Sequence, residues 1–112
     1  MLKIVILIVS SELSTSEFDT FLSLVTPAKR EHIKRYKFFR DAQNSLLGDL
    51  IARTEIRRAT GLTNDQLDFS TNKYGKPFLK NNPHIYFNIS HTEQYVAFAI
   101  ASAPVGIDYR IN

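Results

Sequence analysis

An α+β fold is predicted, with a small antiparallel or mixed sheet packed against one long helix and shorter helices. Three observations point there. Strand-like and helix-like segments do not alternate regularly, which argues against a doubly wound α/β sheet. One stretch, Arg40 to Thr60, carries an apolar face at helical spacing over several turns. The other apolar runs are short, rich in Val, Ile and Phe, and separated by Gly, Pro and Asn.

The elements follow in order. Lys3 to Ser10 is a Val- and Ile-rich strand, and the apolar run Leu2 to Val9 is expected to be buried. Ser11 or Ser14 can cap a helix, and Glu17 stands three residues after Ser14, the capping-box spacing. Phe18, Phe21, Leu22 and Val25 then form its apolar stripe. Thr26-Pro27 reads as a cap followed by proline at the first helical position, opening a basic helix from Ala28 to Tyr36. In the long helix the face comprises Leu46, Leu47, Leu50, Ile51, Thr54 and Ile56, and Gly61 is its stop. Leu67 to Ser70 is a short strand, Lys73 to Pro77 a turn with conformational freedom at Gly75, and Phe78-Leu79 the start of another strand. Asn81-Asn82-Pro83 turns the chain into a strand from His84 to Ile89. Tyr95 to Ala101 and Val105 to Ile111 are the last two strands. No internal repeat or linker interrupts the 112 residues, so a single domain is expected.

Composition excludes several classes. Hydrophobic residues make up 44%, enough for a core, so a disordered chain is not expected. With no cysteine there is no disulfide, thiolate metal site or cysteine nucleophile, which is compatible with a cytoplasmic location. No apolar run is long enough to span a bilayer, so no membrane association is expected. The net charge of +3 is modest, but Lys29, Arg30, His32, Lys34, Arg35, Lys37 and Arg40 crowd together. Such a cluster suits an anion, an acidic partner or plain solvation. A nucleic-acid partner is not expected, because aromatic platforms along a longer basic surface are wanting.

Four groups of residues can carry chemistry. Ser90-His91 ends an apolar strand, and a histidine there can donate to a phosphate oxygen or act as a general base. Standing alone, such a pair is more often a polar turn. A serine nucleophile is disfavoured, since no Gly-x-Ser-x-Gly elbow surrounds it and adjacent strand residues point to opposite faces. Asp108, at another strand end, suits Mg²⁺ held together with substrate phosphates. Arg110, on the same face, has the wrong charge for a second ligand. Gly75 permits close backbone approach and Lys76 offers a point charge, although an ordinary hairpin turn explains both. Lys29 and Arg30, near the start of the basic helix, can clamp a phosphate with help from the helix dipole. The remaining basic residues read as a solvated face.

Taken together, these segments resemble the N-terminal half of the Sfp-type 4′-phosphopantetheinyl transferases. The likeness rests on Pro27-Ala28-Lys29-Arg30, Arg40-Asp41-Ala42, Ser45-Leu46-Leu47-Gly48-Asp49, Tyr74-Gly75-Lys76-Pro77, Phe87-Asn88-Ile89-Ser90-His91 and Pro104-Val105-Gly106-Ile107-Asp108, in that order. The resemblance implies one half of a pseudo-dimeric fold. It implies transfer of the phosphopantetheine arm of coenzyme A to a serine of an acyl or peptidyl carrier protein, with Mg²⁺ as cofactor. By position, Lys29, Arg30 and Ser45 are expected near the 3′-phosphate of coenzyme A. Gly75, Lys76 and Pro77 are expected beside adenine and ribose, Ser90 and His91 at phosphates with His91 catalytic, and Asp108 at the metal.

Two departures matter. The family's Gly-Ile-Asp-x-Glu run has Arg110 in place of its last acid, and arginine is no metal ligand. The family's C-terminal half carries a Trp-x-x-Lys-Glu motif, and this chain has no tryptophan. It is therefore expected to be truncated and incomplete as a single enzyme, with an apolar surface where the other half would sit. A second copy or a separate C-terminal half can supply what is missing. The alternative is a non-catalytic module that binds coenzyme A or carrier proteins.

Overall fold

A computed structural model describes residues 1–103. The expected strand from Val105 to Ile111, with Asp108 and Arg110, lies outside the described residues. The described chain runs β1 (Leu2–Ile8), α1 (Thr15–Leu22), α2 (Pro27–Lys34), α3 (Phe39–Thr60), a 3-10 turn (Asn64–Gln66), β2 (Phe69–Thr71), β3 (Pro77–Leu79), β4 (Tyr86–His91) and β5 (Tyr95–Ala101). The antiparallel strands β1, β5 and β4 form one sheet in that order, and β2 with β3 forms a separate antiparallel ribbon. The α+β expectation holds, and the sheets are antiparallel.

The helix ends are set where their capping chemistry lies. Ser14 accepts from the Glu17 amide while Glu17 accepts from the Ser14 amide, a complete capping box at α1. Thr26 accepts from the Lys29 amide, and Pro27 occupies the first turn of α2. α2 stops at Lys34, slightly before the expected Tyr36, because Arg35 and Tyr36 close with tighter bonds to His32 and Ile33. α3 ends at Gly61, whose φ of 76° is left-handed and whose amide donates to the Arg57 carbonyl. β2 begins at Phe69, later than expected. Thr63 and Gln66 cap the 3-10 turn reciprocally, which takes Leu67 out of the strand. β4 runs on through Ser90 and His91, which pair with Ala97 and Val96 instead of turning.

One face of the three-stranded sheet carries Val5, Phe87, Ile89, Val96, Phe98 and Ile100, and α3 packs there through Ala52 and Ile56. Lys3 lies on this face too, and its Nζ is 2.7 Å from Glu55 of α3. A second cluster joins α1 and α2 to the first half of α3 through Leu22, Val25, Ile33, Ala42 and Leu46. Helix and sheet approach closely at Gly48. A Cβ there would lie 2.8 Å from Ile89 Cγ2 and 3.4 Å from Val96 Cγ1.

The expectation of a buried first strand is not met. β1 is an edge strand, and α3 covers only one face of its sheet. The other face presents Leu2, Ile4, Ile6 and Ile8 to solvent, with Leu2 63% and Ile8 69% exposed. An unbroken apolar run does signal a strand, but it does not say whether both faces find partners within the same chain.

A buried amide pair fastens the fold's two loop ends. Gln43 accepts from the Leu13 amide at 2.6 Å and donates to the Asn44 side chain. Asn44 donates to the Thr92 and Glu93 carbonyls at 2.8 and 3.1 Å. The first turns of α3 thus hold both the loop after β1 and the β4–β5 turn, next to His91. Gly48→Ala is expected to destabilise the chain by about 1 kcal/mol. The overpacking penalty of roughly 1–3 kcal/mol exceeds a helix-propensity gain of about 1 kcal/mol. A lower thermal midpoint by circular dichroism checks this.

Candidate functional site

A cleft of about 470 Å³ opens between the first turn of α2, the middle of α3 and the β2–β3 ribbon. Thr26, Ala28, Lys29 and His32 line it from α2, Asp49 and Arg53 from α3, and Gly75 and Pro77 from the ribbon. Phe69, Phe87 and Ile89 supply an apolar floor. The ribbon reaches the cleft because its turn is fixed. Asn72 accepts from the amides of Tyr74 and Lys76, and Gly75 takes a φ of 80° that most residues avoid.

Lys29 is the central cation. Its Nζ donates to the buried Ser45 hydroxyl at 3.2 Å. Burial pushes its pKa down, Asp49 opposes that shift, and Arg53 adds to it. Asp49 is committed elsewhere, since Arg53 Nε reaches its Oδ2 at 2.8 Å. Arg53 also donates to Asn64 at 2.9 Å, and its guanidinium lies 5.0 Å from the centre of the Phe69 ring. Asn64 in turn donates to the Leu24 carbonyl, so the network ties α3 to the α1–α2 connection.

His91 points to the α3 side of the sheet. The Tyr36 ring lies 6.4 Å from it and 5.4 Å from His32, edge-on to both. Burial lowers the His91 pKa most, Asp41 opposes this, and Lys29 lowers it further. For His32, burial again leads, and Lys29 and Arg35 add to the lowering.

Lys29, Ser45, His91, Gly75 and Pro77 therefore gather around or beside one cleft. The other sequence-predicted residues sit differently. Arg30 turns its guanidinium toward the Leu22 and Val25 carbonyls, at 3.3 and 3.0 Å, and seals the end of α1. Lys76 lines a second depression of about 360 Å³ between β3 and β4. Ser90 is paired with Ala97 on the uncovered face of the sheet, opposite to its neighbour His91. Asp108 lies outside the described residues, and among these no group of three His, Cys, Asp or Glu side chains stands ready for a metal ion. Three cleft residues had no role from sequence: His32, Asp49 and Arg53. Their signal was the four-residue spacing of Ser45, Asp49 and Arg53, which marks one helical face, and the three-residue step from Lys29 to His32.

This is a cationic cleft with an apolar floor on a small α+β scaffold, suited to an anion that carries a flat apolar part. Comparison with known proteins gives the family. The N-terminal model of 4′-phosphopantetheinyl transferases matches residues 12–104. The 4′-phosphopantetheinyl transferase Sfp of Bacillus subtilis (strain 168) is 42% identical over 96 residues, which cover 86% of this chain and 43% of that protein. The 4′-phosphopantetheinyl transferase gsp of Aneurinibacillus migulanus is 36% identical over 108 residues, covering 96% of this chain and 45% of the relative. The L-aminoadipate-semialdehyde dehydrogenase-phosphopantetheinyl transferase of Saccharomyces cerevisiae (strain ATCC 204508 / S288c) is 29% identical over 93 residues. The chain belongs to the 4′-phosphopantetheinyl transferase family. It spans less than half the length of these curated relatives.

Two outcomes follow from the geometry. Arg53→Met leaves Asp49 without its partner and is expected to cost about 3 kcal/mol in urea unfolding, as for other broken buried pairs. His91 has a folded pKa below its ordinary 6.5. Between the two values the unfolded chain binds more protons, so this contribution is complete above about pH 6.5 and is lost as pH falls through the folded pKa. Urea midpoints measured from neutral to mildly acidic pH are expected to fall, and His91→Gln to flatten the decline.

Proposed function

We propose that this chain is the N-terminal subdomain of a cytoplasmic 4′-phosphopantetheinyl transferase, and that its cleft takes the nucleotide end of coenzyme A. The observation that carries the reading is the convergence of Lys29, Ser45 and the first turn of α2 on a cleft floored by Phe69 and Phe87. A phosphate there would meet the Lys29 ammonium, the Ser45 hydroxyl and the positive end of the helix dipole. Gly75 and Pro77 would flank the base and sugar.

The reaction is a phosphoryl transfer. The serine hydroxyl of an acyl or peptidyl carrier protein attacks the β-phosphorus of coenzyme A. A P–O bond forms, the bond to the bridging oxygen breaks, and adenosine 3′,5′-bisphosphate leaves. Held on the α3 side of β4, His91 would donate to phosphate oxygens and take part in moving the serine proton. Mg²⁺, assigned to Asp108 by the resemblance, supplies charge neutralisation at the pyrophosphate when bound. Among the described residues no three ligating side chains stand together, and the reading gives the ion Asp108 together with the substrate phosphates.

The uncovered face of the sheet supports a partner body. Leu2, Ile4, Ile6 and Ile8 form an apolar stripe, with Ser90 close by on the same face. A C-terminal half, as a separate chain or supplied by a second copy, would cover that stripe and the Ser90 hydroxyl beside it.

The test is the intact mass of an apo carrier protein after incubation with this chain, coenzyme A and Mg²⁺, alone and with the C-terminal portion of a relative added. We expect a phosphopantetheine adduct in the reconstituted mixture, and at least a tenfold slower reaction with Lys29→Ala, the effect of losing one charge-assisted phosphate contact. An unmodified carrier beside an active full-length control, with no coenzyme A-induced change in the chain's NMR spectrum, would overturn the reading.

A further inference from the structure

The histidine pair beside Lys29 is not accounted for by charge alone. His32 lines the cleft, one helical turn after Lys29. His91, on β4, feels the charge of the same Lys29, and the Tyr36 ring is in edge contact with both imidazoles. The surrounding charges can be named element by element. From α2 and the residue that closes it come Lys29 and Arg35, from α3 Asp41, Asp49 and Arg53, and from β4 His91 itself. Asp49 is bound to Arg53 and does little to hold a proton on His32. Asp41 acts on His91 alone among the two histidines.

Without a ligand, a proton on either imidazole would be added to a field already set by Lys29. A phosphate bound at Lys29 reverses that field. The same imidazoles then gain an anion to face, and each becomes a stronger base. We infer that the cleft is a proton-coupled phosphate site in which His32 is a further ligand-binding residue, and that binding draws protons onto His32 and His91. This rests on the reading of the cleft as the phosphate end of coenzyme A. Binding is then tightest below neutral pH and weakens as pH rises through the ligand-bound pKa values of the histidines. The ligand's own phosphate titrates near pH 6 and works in the opposite direction. Proton uptake therefore has to be read at the histidines.

The experiment is an NMR pH titration of the imidazole signals of the 112-residue chain, with and without millimolar adenosine 3′,5′-bisphosphate. The apparent pKa values of both histidines are expected to rise with the ligand, and Kd to increase severalfold, up to about tenfold per pH unit for one linked proton, above neutral pH. His32→Gln should bind more weakly with a flatter pH profile. His32→Lys should restore binding with a profile flatter than the parent's, since the lysine charge does not titrate there and only His91 remains coupled. His32 is exposed, so both variants are expected to retain the parent thermal midpoint. Ligand-dependent shifts at Lys29 with unchanged histidine pKa values would overturn the coupling and leave the coenzyme A reading standing. A His32→Gln profile equal to the parent's would remove His32 from the site. No response to ligand at any pH would overturn both readings.

Discussion

The spacing between α3 and the three-stranded sheet is the constraint on which the rest depends. It is set at Gly48, where even a methyl group would collide with Ile89. The collision partner is a branched side chain held in a sheet, so it has little room to withdraw. Close approach at this point carries Asp49 and Arg53 along the wall of the cleft and Ser45, one helical turn before Asp49, to Lys29. It also places the N-terminal turns of α3 against the β4–β5 connection, where Asn44 binds the Thr92 and Glu93 carbonyls. Sequence neighbours along one helix therefore serve three purposes, as core, network and cleft wall.

The charges divide accordingly. Arg53 and Asp49 neutralise one another inside, with Asn64 and Phe69 satisfying the guanidinium's remaining faces. Arg30 is spent on the carbonyls at the end of α1. Lys29 is left with a neutral partner, the Ser45 hydroxyl, and a depressed pKa caused first by burial. A cation held in that way gains more from an incoming anion than a solvated surface lysine does, because part of its hydration has already been lost. The basic composition of α2 is thus less informative than the distribution of roles among its side chains.

Much of this was legible in the sequence, for reasons that can be named. Capping is local chemistry, so Ser14 with Glu17, Thr26 with Pro27, and Gly61 marked helix ends that the structure keeps. The turn at Asn72 to Lys76 is equally local, and Gly75 carries the positive φ that its position requires. Pairing is less visible. The extension of β4 through His91 depends on β5, and the exposure of β1 depends on what lies across the sheet. The family motifs located Lys29, Ser45 and His91 but could not say that Arg30 would turn away or that Ser90 and His91 would face opposite sides. Nor did they give Arg53 a role, because a buried arginine is recognised by its partners, which lie up to a strand and a turn away in sequence.

The pairing of β1 with β5 has a consequence for how the chain comes to be folded. Leu2 meets Ala101, so β1 finds its neighbour only after almost all of the rest of the described chain has been made. The helices can form and associate before then through contacts near in sequence. The sheet cannot, since closing so long a loop is slow compared with helix formation. In the interval a Val- and Ile-rich segment with no charge beyond Lys3 has neither strand partner nor cover. That interval is the time at which this chain is most open to pairing with copies of itself, and the first strand is where such association would begin.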